Sequence, residues 1–248
     1  MTMKLKLNCD LGENAALDGH AVDEVVMPHI DQANIACGFH AGGPAVMRHT
    51  LALAAQYDVQ IGAHPGYPDP EGFGRRSMAC STAEIVAFMH YQMAALEGMA
   101  RSQGLELEYV KPHGALYNDM MAKLNVREAV FEAIASYHKP LPLMIQSTMA
   151  ADEHRHEAQK HGITLWLEAF ADRCYDDDGT LLARDRPEAV HTREKMLAQV
   201  EQLKSEATIT TLNGHVLALD VDSLCVHGDN AESVAVIQLI RELMARED

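Results

Sequence analysis

The chain has 248 residues, 48% of them hydrophobic, enough for one large core, so length alone calls for no second domain. Its 36 Asp and Glu outweigh 20 Lys and Arg for a net charge of −16, which argues against a nucleic-acid partner, since such a partner requires a basic face. No apolar run approaches the roughly 20 residues that cross a bilayer, no basic and then apolar leader opens the chain, and five cysteines form no CxxC pair. Cys9, Cys37 and Cys225 lie in or beside apolar runs and read as buried thiols, so the expected location is a reducing cytoplasm without a membrane partner.

Short strand signals alternate with longer helical ones. KLKLN leads into a loop and a short segment at Val22–Met27. ANIAC precedes PAVMRHTLALAAQY, where Pro44 suits a first helical turn. VQIGA is followed by a long loop and a helix in which Ser81 and Glu84 form a capping box, with Gly104 as its stop. LEYVK leads to a helix over Asn125–Tyr137, and PLMIQS to one over Ala150–His161. TLWLEAF precedes an Asp-rich loop and a helix over Pro187–Ser205. Thr208–Leu219 suggests an extra hairpin, and SLCVHGD leads into a helix over Ala231–Arg246. About seven strand–helix units indicate a parallel α/β architecture, open or closed.

Ionisable groups collect where these strands end, while strand beginnings are plain. In a parallel barrel all such ends face one mouth. NCDLGE supplies Asn8, Asp10 and Glu13, with Asn8 on the strand face of Asp10; the other reading is that Asp10 and Glu13 cap a turn through Gly12. ACGFHAGGP places His40 in a glycine-rich bend after Asn34. GAHPGYPDPEGFGRR contributes His64 and the guanidinium of Arg75, a fork suited to carboxylate or phosphate, or else a solvated one. VKPHGALYN sets Lys111 and His113 on one face of a strand end, fit for oxyanion and proton work or for structural pairing. EAFADR offers Glu168, Asp172 and Arg173, and CVHGD offers His227 and Asp229. DEHRHE is no HExxH and reads as an exposed helix face, and the Asp176–Gly179 stretch fails the register of a calcium loop.

The blocks LNCDLGE, ANIACGFHAG, GAHPGYPD, GFGRR, VKPHGALYN, EAFADR and LCVHGD resemble, in order and over nearly the whole chain, those of the LamB/YcsF family. That resemblance implies an irregular seven-stranded (β/α) barrel of the glycoside hydrolase/deacetylase type, a single catalytic domain over 1–248. It implies opening of the 5-oxoproline lactam to L-glutamate with ATP as co-substrate, in company with two further subunits, B and C. The family's polar positions fall here on Asn8, Asp10, Glu13, Asn34, His40, His64, Arg75, Lys111, His113, Glu168, Asp172, Arg173, His227 and Asp229. Of these, Asn8, Asn34, Arg75 and Arg173 suit substrate binding and the rest catalysis. Asp10, His40 and His64 could activate water directly or through a divalent metal. One departure is Gly43, where the family usually carries an acid. Two other readings stand beside this one: a stand-alone metal-dependent hydrolase or deacetylase of a carbohydrate or amide, and a module that binds substrate while partners do the chemistry.

Overall fold

Seven short strands close on themselves in a computed structural model that describes residues 5–13, 21–227 and 231–245. They are β1 (Lys6–Leu11), β2 (Gln32–Ala36), β3 (Gln60–His64), β4 (Leu107–Val110), β5 (Leu143–Gln146), β6 (Leu165–Phe170) and β9 (Ser223–Cys225). All pairs are parallel, and β9 closes the barrel by pairing with both β6 and β1. The strands are almost wholly buried, as expected where side chains fill the inside and helices cover the outside. The closure is irregular: β3 and β4 shift register between Ile61 and Gly62, and β4 meets β5 through the single pair Val110–Leu143.

The helices are α1 (Ala21–Val26), α2 (Pro44–Tyr57), α3 (Thr82–Arg101), α4 (Gly114–Ala122), α5 (Leu124–Ala135), α6 (Ala151–Lys160), α7 (Arg193–Glu206) and α8 (Ala231–Ala245). Pro44 opens α2, and Ser81 with Glu84 completes the expected capping box of α3. The hairpin expected over Thr208–Leu219 exists as β7 (Thr208–Thr210) and β8 (Val216–Ala218), apart from the barrel. Among the described residues, no helix is long and apolar enough to cross a membrane.

Two elements differ from their sequence pattern. Helix α4 starts directly after His113, ahead of the one helix expected over Asn125–Tyr137. Helix α7 begins six residues later than Pro187, because Val190 bridges Arg173 and the His191 amide donates to the Asp172 carbonyl. The resulting excursion, 171–192, folds over the mouth side of β6.

One interior layer fixes the site. Asp10 is in register with Asn34, Asn34 with Gly62 and Gly62 with Tyr109. Gly62 lacks a side chain, so the Tyr109 ring lies across it and its hydroxyl donates to Asn34 Oδ1 at 2.7 Å. A Cβ at Gly62 would overlap that ring. Gly62→Ala is therefore expected to cost about 1–3 kcal/mol or more by overpacking, measured as a drop in the denaturant midpoint, and to be relieved by Tyr109→Leu.

Candidate active site

The C-terminal ends of the strands hold a floor of buried charge. Lys111 follows β4 and turns into the barrel, where its Nζ lies 3.1 Å from Asp10 Oδ1, 3.0 Å from Glu168 Oε2, 3.3 Å from Asn8 Oδ1 and 3.2 Å from Cys225 Sγ. An ammonium has three N–H groups and here faces four acceptors. Asn34 donates from Nδ2 to both Asn8 Oδ1 and Asp10 Oδ1 at 2.8 Å, Asn8 donates to Ser223 Oγ at 2.8 Å, and the Tyr117 hydroxyl donates to Glu168 Oε1 at 2.8 Å. Burial works against the charge on Lys111, but Asp10, Cys225 and Glu168 outweigh it and raise its pKa well above the ordinary lysine value. Burial likewise opposes ionisation of Asp10, yet His64 and Lys111 hold it well below the usual carboxylate range.

Beside the floor stand Glu13, His40, His64 and His113. His64 Nε2 lies 3.4 Å from Asp10 Oδ2 and 2.9 Å from His113 Nδ1. Glu13 Oε1 lies 3.0 Å from His40 Nε2 and 3.3 Å from His113 Nδ1. The His40 and His113 rings stack at 3.7 Å. Burial, reinforced by neighbouring imidazoles, pushes both of these histidines well below the ordinary value, so both are neutral at pH 7. At the turn the Gly12 amide donates to the Asp23 carboxylate at 3.2 and 3.3 Å.

The GFGRR segment clamps this group from above. His113 Nε2 donates to the Phe73 carbonyl at 2.8 Å, and the Ala115 amide donates to the Gly74 carbonyl at 2.9 Å. Gly74 has φ +63, and a Cβ there would press on His40 and His113, so glycine is required both by conformation and by space.

The opposite wall carries Asp172, whose carboxylate takes His227 Nδ1 at 2.9 and 3.1 Å, with His227 stacked on Phe170. Burial opposes the Asp172 charge, but His227 and Arg173 together lower its pKa. A depressed carboxyl contributes stability that is present above the unfolded value of about 3.9 and lost as pH falls. Asp172→Asn is thus expected to flatten the acid limb of stability below about pH 4, read from urea midpoints across pH. Arg173 is buried and donates to the carbonyls of Ala189 and Leu182, which holds the 171–192 excursion in place.

A cavity of about 710 Å³ opens above these groups, lined by Asp10, Glu13, His64, Lys111, His113, Arg173 and His227. Exposed Arg75, its guanidinium over the Phe73 ring, also lines it. The mouth therefore gathers Asn8, Asp10, Glu13, Asn34, His40, His64, Lys111, His113, Glu168, Asp172 and His227, while Asp229 lies outside the described residues. Tyr117, within the VKPHGALYN block, His154 and Arg184 also line the cavity, and the sequence pattern marks none of them as a site residue. His154 belongs to the helix read as an exposed face, yet it is buried with Nδ1 unpartnered. A helical-wheel reading of α6 finds it, because His154 shares a face with the buried Ala151 and Ala158.

Residues 5–248 match the family described as LamB/YcsF. The chain belongs to the LamB/YcsF family. Its relatives include proteins named as the A subunit of 5-oxoprolinase from Chromohalobacter salexigens, 50% identical over 95% of each chain, and from Pseudomonas fluorescens, 50% identical over 97% of each. A solved structure, the lactam utilization protein from Thermus thermophilus, is 34% identical and superposes with a TM-score of 0.88, covering 98% of this chain and 96% of that one.

Proposed function

We propose that this chain is the A subunit of an ATP-dependent 5-oxoprolinase, a cytoplasmic enzyme in which one catalytic barrel opens the 5-oxoproline lactam to L-glutamate together with subunits B and C. The observation that carries this reading is the polarity of the mouth, with carboxylates and imidazoles at the floor and guanidiniums toward the rim. Such a gradient orients an anionic lactam, its carboxylate toward Arg75, Arg173 or Arg184 and its ring amide toward Asp10. The relatives' names support the substrate and an assembly of several subunits. Five free thiols fit a reducing compartment.

A five-membered lactam resists water because its amide is resonance-stabilised and opening the ring relieves little strain. Transfer of a phosphoryl group to the amide oxygen, with the ring N–H proton lost to the basic groups of the mouth, makes the carbon electrophilic. The Asp10 Oδ2 oxygen, whose partner oxygen is held by Asn34 and Lys111, is placed to deprotonate the attacking water. Departure of the ring nitrogen with a proton leaves an acyl phosphate, which a second water cleaves. A small lactam fills only part of 710 Å³; the remainder has room for the phosphoryl donor. Lys111 acts by positioning, since its N–H groups are already committed to Asp10, Glu168 and Asn8.

The test is glutamate release from 5-oxoproline by the purified chain, alone and with co-purified partner subunits, with and without ATP. Release that requires both ATP and the partners is expected. Hydrolysis of an amide or an acetylated sugar by the chain alone, without ATP, would replace this reading with that of a stand-alone hydrolase.

A further inference from the structure

His64 and His113 each have one ring nitrogen committed to a backbone carbonyl. His64 Nδ1 lies 2.7 Å from Lys111 O, and His113 Nε2 lies 2.8 Å from Phe73 O. A carbonyl only accepts, so each of these nitrogens carries the proton. With both rings neutral, the remaining nitrogens, His64 Nε2 and His113 Nδ1, present lone pairs to one another at 2.9 Å. Glu13 Oε1 joins them at 3.3 Å from His113 Nδ1 and 3.8 Å from His64 Nε2. Three electron-rich atoms thus converge, with Asp10 Oδ2 at 3.4 Å from His64 Nε2 adding a fourth on the edge.

A single proton can bridge only two of these atoms at a time. A cation can satisfy all three. Two ligands on a tetrahedral ion with bonds of about 2.0–2.1 Å stand roughly 3.4 Å apart, and the three edges here scatter around that length. We infer that Glu13, His64 and His113 form a binding site for one divalent transition-metal ion of the zinc type, with its open coordination position facing the cavity. Two imidazoles with one carboxylate favour such an ion over magnesium, which prefers oxygen ligands. The surroundings fit: metal-bound imidazoles ordinarily donate their far N–H to a carbonyl or carboxylate, as both do here. His40 belongs to this outer ring. Its Nε2 faces the Glu13 carboxylate at 3.0 Å within the same cluster, and the inference assigns it to orienting Glu13, where the sequence pattern groups Asp10, His40 and His64.

The inference deepens the oxoprolinase reading of this mouth, because the ion would supply a Lewis acid beside Asp10, but the binding itself does not depend on that reading. Among the described residues a competing set exists at Asp10, Cys225 and His227. The experiment strips the full chain with a chelator and titrates it with zinc by calorimetry, with elemental analysis after dialysis. One zinc per chain is expected, abolished in His113→Ala and Glu13→Gln, weakened about 10–100-fold in His40→Ala, and unchanged in Cys225→Ser. Glu13→Gln is nearly isosteric and keeps the fold, which circular dichroism checks. Absence of stoichiometric zinc, or zinc lost in Cys225→Ser yet retained in His113→Ala, overturns the assignment. Neither result alters the glutamate-release assay with ATP and partners, so the two readings can fail separately.

Discussion

Replacing Lys111 with methionine is expected to lower stability by about 3–5 kcal/mol, because it strips the cation from two buried carboxylates. Asp10 and Glu168 lie on either side of the Lys111 ammonium, with Glu168 fully buried and Lys111 at 2% exposure. The sign of the pH effect distinguishes this from simple loss of packing. In the parent, the depressed Asp10 contributes above about pH 3.9 and the raised Lys111 contributes below about pH 10.4, so the contribution of this pair is level between them. In Lys111→Met the two facing carboxyls cannot both ionise, and one is raised. A raised group contributes below its unfolded value and loses that contribution as pH rises, so the deficit of the variant should be smaller at pH 5 than at pH 8. The double variant Lys111→Met/Glu168→Gln should regain much of the lost stability, since only one buried carboxylate then remains. It should not regain turnover, which is expected to stay about 10²–10⁴-fold down because Asp10 loses its anchor. Urea midpoints at the two pH values and kcat of the assembled enzyme are the measurements. A pH-independent deficit below about 1 kcal/mol would mean that these charges are not desolvated as a unit.

How far the sequence discloses this site depends on whether the cause is local. The strand ends are legible because Asp10, His64 and Glu168 terminate or interrupt apolar runs, and the parallel order follows from the alternation with helices. Closure is not legible. It depends on Leu7 meeting Leu224 across most of the chain and tolerates a β4–β5 junction of one pair, neither of which leaves a periodic mark. Lys111 and His113 illustrate the same limit within three residues. Period two puts them on one face, but β4 ends at Val110, and past it the chain no longer alternates. Lys111 enters the floor and His113 docks under Phe73. Arg184 and the bend of 171–192 are set by Arg173 reaching the carbonyls of Leu182 and Ala189, a tertiary cause without a local signature. Gly43 also becomes intelligible: it stands extended before Pro44 with open space where a side chain would project, so the missing acid leaves the backbone of that loop unaffected.

Asp10→Asn isolates chemistry from architecture. The substitution preserves shape, and the retained Oδ1 still accepts from Asn34 at 2.8 Å and from Lys111 at 3.1 Å. Lys111 keeps Glu168 as its counter-ion, so the loss of stability should be smaller than in Lys111→Met, roughly that of one charged hydrogen bond at about 1.5–3 kcal/mol. The other position changes sign. Oδ2 faces His64 Nε2 at 3.4 Å as an acceptor, and the amide nitrogen that replaces it is a donor, which occupies the imidazole lone pair and can take no proton from water. With the rim guanidiniums untouched, ground-state binding should persist. The expected pattern is kcat down about 10²–10⁴-fold with KM little changed, the signature of an interaction made in the transition state alone. Steady-state kinetics of glutamate release from 5-oxoproline, assayed with ATP and partner subunits present, measure it, and Asp10→Glu serves as the counterpart: it keeps the charge but, in a site with Asn34 and Lys111 already packed against the carboxylate, displaces it, so partial activity is expected there. If Asp10→Asn keeps kcat within about fivefold, Asp10 is not the group that takes the proton from water and serves the floor as a counter-ion of Lys111.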